Sequence, residues 1–472
     1  MSEGKRADRV GCAEFRRNLA KDAMDRRGFV KAGALGLGGL SLAGLMKLEA
    51  AAQDRKKVSR DKSVIILWKR GGPSQHETWD PKPDAPKEYR GAFGAMPTRV
   101  PGTHICDLLP KCAKMTDKFA IIRSLHHQNA GHSAGDQILF TGYPPGKNPN
   151  ENIYPSCGSI VAKQLGHLSP ELPPYVMIPR TLPGVEPAYL GKKYGPFYTQ
   201  ADPANDSTWP KNGGKFEVPN FELTDGLDFN RLDTRRNLLS GFDKIRRDID
   251  NSGNAEAIDK FQQQALDIVT SPKARDAFDL DAEPMAIRER YGFMERYNAP
   301  TPDRCGVPAW SQRILLARRL VEAGVRLVTV DLRWWDTHVK GYESMRDGFL
   351  PRWDQAYTAL LADLEQRGLM DSVMVVAWGE FGRSPKVNAT GGRDHYPGVF
   401  SAAISGGGIR GGTVVGSSDD KGALPKDRPV RPQDVLATMY RHLGVDTAEQ
   451  YKDFAGRPHP VLPFGEPIEE LF

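Results

Sequence analysis

The chain has 472 residues, 39% hydrophobic and 26% charged, enough apolar material for a sizeable buried core. Its formal charge of +6 is concentrated at the start: ten Lys/Arg and six Asp/Glu fall within residues 1–52, and the remainder is close to neutral. No basic stripe with interleaved aromatics runs through it, which argues against nucleic acid as a partner.

Asp25-Arg26-Arg27-Gly28-Phe29-Val30-Lys31 precedes a weakly apolar run, Ala32 to Met46, and small residues at Ala50-Ala51-Ala52. A positive segment, a short apolar one and a small-residue end are the parts of an export signal, and the paired arginines give its twin-arginine form. Residues 1–52 are therefore expected to engage the twin-arginine translocase and direct the chain to the periplasm or beyond. Met24 directly before the signal points to residues 1–23 as an over-extended start. The apolar run is too short and Gly-rich to span a bilayer, and no later run is long enough. Cys12 lies in this leader; Cys106, Cys112, Cys157 and Cys305 remain, to be paired or buried free, and none has C-x-x-C spacing.

A charged linker, 53–62, opens into the main domain, 63–472. Ser63-Val64-Ile65-Ile66-Leu67-Trp68 is an apolar, β-branched run stopped by Gly71-Gly72-Pro73, the pattern of a buried strand. Phe119–Arg123 is a second strand, and a helix over about 132–141 ends at Gly142 and Pro144-Pro145. From about 155 to 300 the pattern is irregular, with charged helices near 231–250 and 254–270, read as an insertion or cap. Beyond it, helix Gln312–Ala323, strand Val325–Leu332, helix Trp353–Arg367 and strands Val373–Trp378 and Val399–Ile404 alternate. Alternation with continuously apolar strands predicts an α/β fold with a mostly parallel sheet covered on both faces.

In such sheets ligands gather beyond the carboxyl ends of the strands. Six of the ten histidines fall in post-strand loops: His76, His126, His127, His132, His338 and His395. Asp80, Asp336 and Asp394 stand near them, with Glu380 after Val373–Trp378. Imidazole with carboxylate is a ligand set for a divalent metal, zinc, manganese or calcium being the candidates. Arg333, Arg383 and Arg393 nearby would suit a tetrahedral oxyanion. Ser133, near a helix start, is a candidate nucleophile or a cap.

Thr78-Trp79-Asp80-Pro81-Lys82, Leu139-Phe140-Thr141-Gly142-Tyr143-Pro144, Asp336-Thr337-His338, Gly379-Glu380-Phe381-Gly382-Arg383-Ser384-Pro385 and Gly456-Arg457-Pro458 look like a family of exported bacterial proteins, domain of unknown function fifteen-oh-one. The resemblance covers about residues 60–472. That family is grouped with the alkaline phosphatase superfamily, which includes sulfatases and cofactor-independent phosphoglycerate mutase. It implies an alkaline phosphatase-like three-layer sandwich and a metal-dependent hydrolase of phosphate or sulfate esters, small or polymeric, with sulfated or phosphorylated sugars among the substrates. Ile138–Gly142 is similar to the sulfatase helix ending Leu-Leu-Thr-Gly, which puts the nucleophile slot on His132 or Ser133. No Cys-x-Pro-x-Arg is present, which speaks against a formylglycine sulfatase. Against the sulfatase Ser-Asp-His-Gly strand end, Glu380 replaces the metal-binding Asp and Phe381 the His. The resemblance thus implies Asp336, His338, Glu380, Asp394 and His395 as metal ligands, Ser133 as nucleophile and Arg383 as oxyanion clamp. His76, Asp80, His126, His127, His132 and Arg393 are further candidates. The lost ligand at Phe381 leaves open a non-catalytic carbohydrate- or anion-binding protein with a degenerate site.

Overall fold

Val64 to Trp68 carry no solvent exposure on either side chain face, which only a strand covered above and below tolerates. In the computed structural model, which describes residues 61–203, 216, 218, 271–293 and 310–472, this segment is β1 (Ser63–Trp68), at the centre of an eight-stranded sheet. The other strands are β2 (Phe119–Leu125), β3 (Tyr175–Ile178), β4 (Phe197–Tyr198), β5 (Leu327–Asp331), β6 (Val373–Trp378), β7 (Phe400–Gly406) and β8 (Val414–Val415). Their order is β8-β2-β7-β6-β1-β5-β3-β4. Neighbours pair in parallel except at β7, which is antiparallel to both β2 and β6.

The pleat sorts the apolar residues into two layers. Ile65 and Leu67 face α3 (Ser311–Ala323) and α4 (Leu350–Gln366), whereas Val64, Ile66 and Trp68 face α1 (His132–Thr141), α2 (Cys157–Leu165) and α5 (Pro432–Leu443). The α/β architecture expected from the sequence, a mostly parallel sheet between helical layers, is the one present. Strands β3 and β4 come from the irregular span after residue 155 and extend the sheet at its edge, so part of that span belongs to the main body. Tyr175-Val-Met-Ile is a four-residue apolar run, too short to stand out between prolines. The helices expected near 231–250 and 254–270, the export signal, nearly all of the linker and Cys305 lie outside the described residues. Cys106, Cys112 and Cys157 are free thiols, all buried. Among the described residues no helix is long and apolar enough to cross a membrane.

One charge is sealed inside the first layer. Lys69, directly after β1, has no exposed surface, and its Nζ stands 5.6, 5.5 and 4.6 Å from the ring centroids of Trp79, Trp335 and Trp353. Burial pulls its ammonium down to about 7, against a smaller opposing pull from Cys112, and the indole faces lie where cation–π attraction can offset part of the cost.

Candidate metal centre

The antiparallel strand decides where the site assembles. Strands β1, β2, β5 and β6 all run out at one edge of the sheet, and β7, running the other way, begins there. The loops after β1, β2, β5 and β6 and the loop before β7 therefore converge. His132 opens α1 on the chain leaving β2, Asp336 and His338 follow β5, Glu380 follows β6, and Asp394 and His395 precede β7. Close approach of these loops needs glycine. Gly71 holds φ +112°, and a Cβ there would lie 2.4 Å from the Trp335 backbone nitrogen.

His132, Asp336 and His395 each offer a ligand atom, all within 4.8 Å of one another. His132 Nδ1 stands 2.5 Å from Glu380 Oε1 and its Nε2 3.3 Å from Asp336 Oδ2. His338 and His395 each bring Nε2 to 3.0 Å from Asp336 Oδ1. Asp394 accepts from His338 Nδ1 at 3.1 Å but is otherwise largely exposed. Glu380 is fully buried; its Oε1 also accepts the Gly71 amide at 2.8 Å, while Oε2 has no hydrogen-bond partner. A buried carboxyl oxygen left without a partner is costly unless a cation or a donor completes it.

The electrostatics follow from this crowding. Burial would raise the Asp336 carboxyl, but hydrogen bonds from His132, His338 and His395 and the Arg383 charge hold it far below the carboxylate range. Burial works against a charged His132, yet Asp336 and Glu380 raise it to about 9. The Asp336 bond likewise raises His338, and the His338 bond lowers Asp394.

Other expected residues go elsewhere. Arg383 is fully buried, donating to the carbonyls of Gly71, Gly72, Trp335 and Arg393 and to Asp336 at 2.5 Å. The oxyanion clamp expected at Arg383 thus has no exposed surface, and its guanidinium is spent on these carbonyls and on Asp336. Arg393 is buried against Glu77, 2.8 Å from Nη2 to Oε1. His76 is pinned to the Lys421 carbonyl at 2.9 Å, and Asp80 accepts the Ser418 hydroxyl at 2.5 Å and pairs with Lys82 at 3.0 Å. No described contact joins either to the cluster, because the loop after Gly72 turns inward beneath residues 418–422. His126 bonds locally to the Ser124 carbonyl at 3.3 Å. His127 supports from behind, its Nε2 2.5 Å from the Glu380 carbonyl. Phe381 packs its ring against the imidazoles of His132 and His395, centroids 5.2 and 4.5 Å away.

Ser133 is the second residue of α1, past the Gly131 cap, so it is not the cap. Its Oγ donates to Asn150 Oδ1 at 2.8 Å and stands 3.5 Å from Arg70 Nη2. Arg70 in turn pairs with Asp136 at 2.7 Å, and Asp136 accepts the Trp68 indole at 3.1 Å. Sequence reasoning missed Arg70 and Asp136. Both had a signal: Asp136 is one helical turn beyond His132, and Arg70 follows Trp68 by the same two residues as Glu380 follows Trp378, with which Trp68 pairs.

Several solved structures are similar at low identity. A protein from a Bacteroides thetaiotaomicron core locus for metabolism of multiple glycosaminoglycans is 11% identical, with 81% of this chain and 73% of that one covered and a TM-score of 0.36. A 2-O glycosaminoglycan sulfatase is 12% identical, covering 86% and 73%, TM-score 0.35. The phosphonate monoester hydrolase of Silicibacter pomeroyi is 11% identical, covering 86% and 76%, TM-score 0.33. At these scores none of them bears on the activity of this chain. No curated protein matches its sequence. The family described as protein of unknown function, DUF1501, matches residues 61–472, and the chain belongs to that family.

Proposed function

We propose that the chain is an exported, metal-dependent hydrolase of phosphate or sulfate esters, carried out of the cytoplasm by the twin-arginine route and acting in the periplasm or beyond. The observation that carries the reading is the cluster of His132, Asp336 and His395 ligand atoms within 4.8 Å, completed by a buried Glu380 whose Oε2 lacks a partner. Two imidazoles and two carboxylates fit a divalent cation, and imidazole donors favour zinc or manganese over calcium. His132, Asp336, Glu380 and His395 would hold it, with His338 beside them and Asp394 steering His338. Bound there, the cation would act as a Lewis acid on an ester oxygen. Ser133, held by Asn150 on the first turn of α1, is the nucleophile in this reading. Arg70 is the guanidinium next to it, suited to the oxygens of a phosphoryl or sulfuryl group. Arg383 and His127 keep Asp336 and Glu380 in place.

Protein purified without added metal is expected to carry about one or two transition-metal ions per chain by elemental analysis. Asp336→Ala should lose that metal and cut aryl phosphate or sulfate turnover by at least about 1,000-fold, roughly 4 kcal/mol of transition-state stabilisation. Undiminished turnover in Asp336→Ala would remove the assignment.

The second reading, a non-catalytic carbohydrate- or anion-binding protein, draws on Phe381 at an expected ligand position and on Arg383 neutralising Asp336. Metal-free protein that binds anionic sugars without turnover would decide for it.

A further inference from the structure

Three neighbouring strands are each followed, two residues past their last, by an arginine on the edge that carries the proposed metal-ligand cluster. Trp68 pairs with Asp331 and Ile178 with Val330 as the last rungs, and the arginines beyond them are Arg70, Arg333 and Arg180. Trp334 stands between two of them: the Arg70 and Arg333 guanidinium carbons lie 4.5 and 5.2 Å from its ring centroid. The His132 imidazole touches the same indole at 5.5 Å, joining this ridge to the cluster.

The ridge has more positive charge than its acids balance. Asp136 is paired with Arg70 and Asp331 with Arg333. Arg180 is exposed and has no acidic partner among the described residues. Arg333 Nη2 has no hydrogen-bond partner. Burial first, then the charges of Arg70 and Arg180, lower Arg333 against the pull of Asp331, the mark of guanidinium groups crowded together. Such crowding is unfavourable on its own and favourable around an anion.

We infer that Arg180, Arg333 and Trp334 form a second anion-binding subsite, so that the ligand carries a further sulfate, phosphate or carboxylate group beside the ester. This rests on the hydrolase reading for the first group alone. Arg70, beside the ester group in that reading, and Arg180 follow strands two spacings apart, which sets the two anionic groups on the order of 10 Å apart.

The test is binding of 1,6-hexanedisulfonate and ethanesulfonate to the full chain at low salt, by calorimetry; neither probe is hydrolysed. The disulfonate is expected to bind about tenfold more tightly in the wild type. Arg180→Ala should bring that ratio to about one, and Arg180→Lys should retain part of it. A ratio near one in the wild type, or a ratio indifferent to Arg180→Ala, overturns the subsite. A preserved ratio in protein that turns over no ester leaves the subsite standing and removes the hydrolase.

Discussion

Arg393 and His395 are two residues apart and end in opposite kinds of ionic surroundings. Arg393 closes on Glu77 with bonds of 2.8 to 3.1 Å and gives its remaining donors to the carbonyls of Ser384, Pro385 and Tyr89. His395 enters a cluster where three imidazoles and Arg383 crowd around Asp336 and where Glu380 Oε2 has no donor. Histidine reports the difference. His76, next to the clamp, is pushed by burial and by Arg393 down to about 4, while His132 in the cluster is raised to about 9. A structural pair exhausts its valence internally. The proposed ligand set keeps some of it open, and that contrast separates the two more sharply than residue type does.

The contrast is most exposed at Glu77. Glu77→Ala leaves Arg393 buried without its counter-charge and should cost about 3–5 kcal/mol in urea unfolding. Glu380→Gln, which keeps the shape and removes a charge, should stay within about 1 kcal/mol of the wild type while losing bound metal by elemental analysis. Equal losses in the two variants would erase the distinction.

Acid should act through the clamp side. A folded-state value for His76 below the 6.5 of the free side chain means that the unfolded chain binds the proton more readily. Its contribution is intact above pH 6.5 and is lost as pH falls towards 4, by up to about 3 kcal/mol. Urea midpoints across that window measure the slope, and His76→Gln should flatten it. A slope unchanged by that substitution would mean that other groups carry the acid sensitivity.

The smallest effect is expected at Asp394, which is 64% exposed and reaches the cluster only by steering His338. Asp394→Asn should lower ester turnover about tenfold, roughly 1.4 kcal/mol. A loss as large as that of Asp336→Ala would make Asp394 a ligand in its own right.

The sheet was readable because β1 and β6 are uninterrupted apolar runs with Gly at their ends, and strand ends then pointed to His132, Asp336, Glu380 and His395. Direction was less readable. Nothing local in Phe400–Gly406 says that it runs against its neighbours, although that reversal delivers His395. Burial was hidden as well. Arg383 and Arg393 look like surface cations in a polar loop, and only the carbonyls and carboxylates folded around them turn them into struts. His76 and Asp80 were drawn into the expected site by proximity in sequence to Gly71, but the chain turns inward between them. Arg180 carried no signal, since a strand of four residues among prolines does not declare itself.

Lys69, boxed in by three indoles, has a practical consequence. A primary amine with no solvent contact is out of reach of acylating reagents while the core is closed. Once released it regains its ordinary basicity and reacts like any other lysine. Mass spectrometry of the peptide that contains it would therefore time the opening of the sheet's interior.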